Sequence, residues 1–297
     1  MGKGYSSEQI RQKLILILDG DVSGMSGVEI SKKMDISRIT MTKYLQVFAA
    51  EGLLRQKNIG NVNLWFLEPG QESFTFPDDY FKITPLYIEY LVTGAESRVY
   101  SLIRNCLHSG GLATRLILEV IFPSIDHVRK LYDDAKIGTS EKHLLETTIS
   151  KSLQIFNQIQ VVADPKKNAI VIASSEQSKL DSETASAAYH SNGWNVSHLG
   201  DMSNAINVLF DLDFQKLVRR IWKQKPGLLV VVVFSKTSED LSFFADSINS
   251  IKEKSDNSMK LILCGRVSKK SKIVSDLISE KIEDVLQWSQ TVSQNLK

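Results

Sequence analysis

The sequence predicts an α/β chain of several domains: a small helix-and-hairpin head, a helical block, and a doubly wound parallel sheet. Three observations predict it. Residues 26–67 run two short amphipathic helices, a turn and an alternating hairpin together with almost no spare residues. Residues 85–160 keep helical periodicity. Residues 167–297 alternate short β-branched apolar runs with helix-length segments, the pattern of a sheet covered on both faces.

In the head, Ile10, Leu14 and Ile17 mark a first helix that closes the bundle. Ser26 precedes Glu29 by three positions, a capping box that starts the next helix. Ile30 and Met34 fall on one face of it, and Asp35 and Ile36 make the turn. Ser37 caps a third helix, whose Met41, Leu45 and Phe48 recur at i, i+4, i+7 and face a core. Gly52 ends that helix where a left-handed residue is wanted. Val62, Leu64 and Phe66 then alternate with Asn61, Asn63 and Trp65, a half-buried strand behind a Gly60–Asn61 hairpin tip.

The third helix is the candidate reader of a nucleic acid groove. Ser37, Arg38, Thr40, Thr42 and Lys43 lie on or near its first turn, away from Met41 and Leu45. Arg and Thr there reach base edges, while Lys and backbone amides meet phosphates. Arg55, Lys57 and Asn61 place the hairpin against the backbone or minor groove. This order, over roughly residues 5–68, resembles the winged helix-turn-helix domains of bacterial and archaeal transcription regulators. Residues 1–70 hold nine Lys/Arg and seven Asp/Glu. So mild a balance suits a dimer reading a defined site better than a non-specific binder. A winged helix used only for protein contacts is the alternative.

At 297 residues and a net charge of +2, the chain can hold two or three cored domains and is neither histone-like nor a membrane-surface protein. Cys106 and Cys264, its only cysteines, each sit in an apolar run and read as buried thiols of a cytoplasmic protein. The apolar run at 14–18 is too short to span a bilayer.

Residues 69–84 form a linker with two prolines, and Phe74, Phe76, Tyr80 and Phe81 suggest that it packs on something. Four helices follow in a block over 85–160: Leu86–Leu91, Glu96–Leu107, Leu112–Tyr132 with Pro123 kinking or splitting it, and a last one from near Ser140 to Gln158. Strands are expected at 169–173, 194–199, 228–234 and 260–264, with helices near 181–191, 213–224, 238–254 and 269–282. Residues 285–288 are a fifth strand or a helix end. Ligands of such sheets bind beyond the carboxyl ends of the strands.

A four-helix cap directly before a flavodoxin-like doubly wound sheet, here residues 85–160 and 161–297, resembles the cobalamin-binding module of corrinoid methyltransferases and of adenosylcobalamin-dependent light-sensing repressors. FPSIDHVRKLYDDAKIGTSEKHLLE (122–146) looks like the helical cap, and IASSEQSKLDSETASAAYHSNGWNVSHLG (172–200) like the first strand, ligand loop, helix and second strand. The resemblance implies ligand-binding roles for Tyr132, Lys142 and His143 in the cap, Glu176 and Ser178 in the loop, and Ser235, Thr237 and Gly265 after later strands. The departures are specific. Ser178 stands where the family's cobalt-binding histidine belongs, and Asp181 where its glycine does; Tyr132 and Lys142 replace the cap's Trp and Glu, and Cys264 replaces a glycine. A neutral hydroxyl is a poor cobalt ligand, so the family's cobalamin is not assigned as a cofactor.

His198, at a strand end, is better placed than His190 to replace the missing imidazole, although a polar strand-end histidine is the ordinary reading. His108 and His127 have no partner spacing, and the five histidines form no zinc pattern with the cysteines. No GxGxxG follows the first strand, and no P-loop, nucleophile elbow or paired-carboxylate site is present. Asp133, Asp134, Asp211 and Asp213 read as caps or loops, and Lys269, Lys270 and Lys272 as a wet face or a phosphate contact. The expectation is therefore a non-enzymatic, homo-oligomeric regulator that binds duplex DNA and whose C-terminal module senses a small ligand or mediates assembly. The alternatives are a corrinoid carrier or methyltransferase-type protein and a ligand-free scaffold.

Overall fold

The computed structural model describes residues 6–18, 23–60, 62–68, 74–205, 210–222, 227–252, 258–266 and 273–295. The chain divides into two compact units, 1–111 and 112–297. That division falls inside the 85–160 helical block.

The first unit opens with α1 (Ser7–Leu18), β1 (Met25–Ser26), α2 (Gly27–Met34), α3 (Arg38–Ala50), β2 (Leu54–Ile59) and β3 (Val62–Leu67). The strands form an antiparallel sheet in the order β1–β3–β2. Local chemistry sets the boundaries. Ser26 Oγ accepts the Glu29 N–H at 3.3 Å, and the Glu29 carboxylate accepts the Ser26 N–H at 2.8 Å. Asp35, at φ 54°, turns the chain out of α2. Ser37 Oγ accepts the Thr40 N–H at 3.2 Å to start α3. Gly52 takes φ 75° after α3, a conformation that costs glycine little. Ile10, Leu14, Ile30, Met34, Met41, Leu45, Phe48 and Trp65 pack into one core.

One strand face differs from expectation. Trp65 is buried, whereas Val62 is 48% exposed. β1 is the reason: Met25 pairs with Trp65, so that face of β3 meets the helices. Asn61 lies outside the described residues.

The aromatics of residues 74–81 do pack, with the Phe76 and Tyr80 ring centroids 4.5 Å apart. α4 (Tyr80–Val92) begins six residues earlier than Leu86 and runs through Pro85. It pairs with α5 (Glu96–His108) through buried Ile83, Tyr87, Val99, Leu102 and Ile103.

The second unit begins with α6 (Ala113–Leu116), a π-helical turn over Ile117–Ile121, α7 (Phe122–Asp133) and α8 (Thr139–Asn157). The split expected at Pro123 is that wide turn. Proline lacks the N–H an α-turn needs, and its ring clashes with the carbonyl four residues back; a π-turn relieves both. The sheet follows: β4 (Lys167–Ala173), α9 (Glu176–Ser191), β5 (Asn195–Asp201), α10 (Phe210–Trp222), β6 (Leu228–Phe234), α11 (Ser238–Lys252), β7 (Met259–Cys264), β8 (Leu277–Ser279) and α12 (Ile282–Asn295). Its five strands are all parallel in the order β5–β4–β6–β7–β8. In sheet numbering that is 2-1-3-4-5, the flavodoxin-like order, with its switch point between β4 and β6.

At the C-terminal edge one expectation is corrected and one open alternative is settled. The fifth strand is Leu277–Ser279, inside the segment expected as a helix, and residues 285–288 belong to α12. A three-residue edge strand is too short to show period two, and the apolar spacing of Ile282, Val285 and Leu286 suits either element.

Candidate functional site

The switch point places the turn after β4, Ser174–Ser175, beside the turn after β6, Ser235–Thr237. Two clefts open there. The first, about 990 Å³, is floored by Phe122, Phe234 and Ile282 and takes in Ser235, Cys264 and Gly265. The second, about 760 Å³, lies between α7, α8 and the start of α9 and takes in Tyr132, Lys142, His143 and Glu176. Arg129 and Lys236 line both.

Those two cations meet on one carboxylate. Arg129 Nη2 lies 2.8 Å from Asp181 Oδ1, and Lys236 Nζ lies 2.6 Å from Asp181 Oδ2. The Asp181 side chain is 8% exposed, those of Arg129 and Lys236 24% and 45%. Burial works to lower the pKa of Arg129, but the Asp181 and Asp126 carboxylates outweigh it and hold the guanidinium above its ordinary value. The cluster stands as a partition between the clefts, tying α7, α9 and the β6–α11 turn together.

The residues named from the sequence separate accordingly. Lys142 Nζ sits 4.5 Å from the centroid of the Tyr132 ring and 3.8 Å from Glu146, so these side chains engage one another at the wall of the second cleft. His143 is exposed there. Glu176 pairs with Lys179 at 3.2 Å, which raises the Lys179 pKa. Ser235 Oγ accepts the Thr237 N–H at 3.0 Å, and Thr237 Oγ1 accepts the Asp240 N–H at 3.2 Å to cap α11. These two serve the turn, and only Ser235 reaches a cleft. Gly265 is required by close approach: a Cβ there would sit 2.2 Å from the Ser235 carbonyl oxygen.

Ser178 lines neither cleft. It lies in the first turn of α9, is 1% exposed, and its Oγ accepts the Ser175 N–H at 3.2 Å. The helix therefore starts immediately after β4. From Leu180 to Tyr189 every residue of α9 is buried, since small Ser, Ala and Thr side chains let it wedge between the sheet and α8. Neither His198 nor His190 is placed as a stand-in. His198 Nε2 lies 2.9 Å from Ser182 Oγ, and His190 Nε2 lies 3.0 Å from the Ile159 carbonyl oxygen. These residues do not fit a corrinoid ligated from below by protein. Among the described residues no His/Cys/Asp/Glu group could hold a metal ion. Burial, then Asp181, pushes the Cys264 thiol up from its usual range, and the residue lines the wall of the first cleft.

In the first unit Ser37, Arg38, Thr40, Thr42 and Lys43 are all exposed. Thr40 Oγ1 lies 2.8 Å from Ser37 Oγ, and Thr42 Oγ1 donates to the Arg38 carbonyl at 2.8 Å, so both hydroxyls are engaged within the helix. Arg38 and Lys43 are exposed, and Ile39 and Gln46 join them. Arg55 lies over the Phe66 ring at 5.3 Å, and Lys57 is exposed on β2. Arg129, Lys236, Ile39 and Gln46 were not singled out from the sequence. An exposed isoleucine is legible only as an apolar residue off the Met41–Leu45–Phe48 face, and nothing in the sequence marks the two cations as partners of Asp181.

No family model matches the sequence, and no curated protein matches it. Among solved structures the chain is similar to the monomethylamine corrinoid protein of Methanosarcina barkeri, at 15% identity and a TM-score of 0.55, over 71% of this chain and 99% of that one. It is also similar to the methanol:cobalamin methyltransferase complex of the same organism, at 13% identity and a TM-score of 0.38, over 76% and 84%. A cobalamin-binding protein of Desulfitobacterium hafniense, at 14% identity and 0.36, is covered over 97% of its length and 70% of this chain. Only the first likeness is strong enough to carry an argument, and at that identity the argument concerns the fold alone. It speaks for a module of the corrinoid-protein fold, and nothing in these likenesses bears on DNA. No helix among the described residues is long and apolar enough to cross a membrane.

Proposed function

We propose that this chain is a non-enzymatic DNA-binding regulator. Its N-terminal winged helix reads a duplex, and its C-terminal module has become a small-ligand or assembly unit. One observation carries the reading: α3, β2 and β3 hold Arg38, Lys43, Arg55 and Lys57 and not one Asp or Glu. Phosphate contacts supply most of the affinity of such domains, and a helix backed by a hairpin suits a major groove. The strand order β1–β3–β2 around two consecutive helices supports the winged-helix reading. Ligand binding in the second unit would act by favouring one arrangement of the DNA-reading heads.

The test is selection of duplexes from a random pool by the full chain, followed by footprinting. A protected site that vanishes in the Arg38→Ala, Lys43→Ala double variant, with the thermal midpoint unchanged, is expected. Failure of the folded protein to enrich any duplex overturns the reading.

A second reading, a corrinoid carrier, is favoured by the likeness to the monomethylamine corrinoid protein. Incubation with hydroxo-, methyl- and adenosylcobalamin in the dark, then gel filtration and an absorption spectrum, separates the two. A stoichiometric corrinoid band with histidine ligation would establish the carrier.

A further inference from the structure

We propose that Ile39 is the specificity-determining contact of α3, and that it seats on the 5-methyl group of a thymine in the major groove. The proposal rests on the DNA-binding reading and names the base feature that the reading leaves open.

The helix geometry singles this residue out. Met41, Leu45 and Phe48 form the buried face of α3. Ile39, Lys43 and Gln46 repeat the same i, i+4, i+7 spacing two positions earlier, about 200° around the helix, and so centre the outward face. Ile39 is 76% exposed. Folding gives no reason for isoleucine there: it contributes nothing to the core, and β branching makes it a poorer helix former than Ala, Leu or Lys.

Charge selects the occupant. Lys43 flanks Ile39 on the same face, Arg38 opens the helix, and Arg55 and Lys57 follow on β2, with no carboxylate in α3, β2 or β3. A protein partner docking on an apolar helix would not require that one-sided charge; a polyanion does. Within a major groove, which is wide enough for one helix, the apolar group on offer is the thymine methyl. Thr40 and Thr42 are exposed too, but they flank that face, about 100° and 60° around the helix from Ile39. Gln46, one turn beyond Lys43, is in register for an adjacent base edge, adenine being the usual partner of glutamine.

The experiment uses the full chain and the duplex it enriches from a random pool. Each thymine of that duplex is replaced in turn by deoxyuridine, which removes only the methyl group. Wild-type affinity is expected to fall about 4-fold at one position per half-site, the worth of one buried methyl. Ile39→Ala should lose a similar factor on the thymine duplex and bind both duplexes alike. Because Ile39 is exposed and Ala is the better helix former, the variant should keep the wild-type thermal midpoint. If no replacement weakens wild-type binding, or if Ile39→Ala still tells thymine from deoxyuridine, the contact is wrong while DNA binding stands. If no duplex is enriched, both readings fall.

Discussion

The guanidinium of Arg129, on α7, lies 2.8 Å from the carboxylate of Asp181, on α9, at the mouth of the parallel sheet. This pair, joined by Lys236, occupies the position where the resemblance calls for a glycine. A bare backbone would leave the space open; a clamped carboxylate divides it. The C-terminal unit has the flavodoxin-like strand order and presents two clefts, of about 990 and 760 Å³, on either side of the cluster.

Removing the carboxylate should cost more than removing either cation. Asp181→Ala leaves the partly buried guanidinium only its longer contact to Asp126 and takes the carboxylate from Lys236, whereas Lys236→Ala leaves the Arg129–Asp181 pair intact. We expect a loss of about 2 kcal/mol for Asp181→Ala and under about 1 kcal/mol for Lys236→Ala, read from urea unfolding.

Histidine at the loop position should not restore corrinoid binding. Ser178 is buried and hydrogen-bonded to the Ser175 N–H, so Ser178→His forces a larger ring into a filled first turn. A destabilisation of about 2 kcal/mol is expected, with no new absorption band after incubation with hydroxocobalamin. A ligated-corrinoid spectrum would mean that α9 opens readily.

Two glycines should respond oppositely to alanine. At Gly265 the added Cβ meets the Ser235 carbonyl oxygen, and a loss of about 2 kcal/mol or more is expected. At Gly138, before α8, nothing lies within 4 Å, and the change should stay within about 0.5 kcal/mol. Thermal or urea midpoints of the two variants decide it.

Asp276 should give the protein an acid-sensitive step. Burial pushes its pKa up, but the Leu261 N–H at 2.8 Å and Lys252 at 2.5 Å outweigh that and leave it lowered. A depressed carboxylate stabilises the fold above its unfolded pKa of about 3.9, and that contribution is lost as pH falls through the folded value. Urea midpoints between about pH 5 and pH 2 should fall more steeply for the wild type than for Asp276→Asn.

On the DNA reading, binding should weaken with salt, and Lys43→Ala should flatten the slope of log affinity against log salt by about one unit. An unchanged slope would place Lys43 away from phosphate.

The elements of this chain were legible where one physical signal dominated. Ser26 and Glu29 announce a helix start because both partners of the capping box are local. The run at 228–234 announces a central strand because a strand covered on both faces must be apolar throughout. The hairpin tip follows from Gly60 alone. Leu277–Ser279 was hidden because an edge strand of three residues leaves no periodicity, and the buried face of β3 was hidden because β1 fixes it from forty residues away.

By itself, the sequence determined the order of layers, the three helices of the head with caps at Ser26 and Ser37, and the presence of Ser178 where the resemblance calls for a cobalt-binding histidine. Each of these depends on residue identity or on spacing within a few positions. Only the tertiary structure decided that Ser178 is sealed into the first turn of α9 and that Arg129 and Lys236 converge on Asp181. Those facts depend on which distant side chains share a volume and which hydroxyls are already bonded, and burial and charge pairing across 52 residues of sequence, from Arg129 to Asp181, leave no local trace.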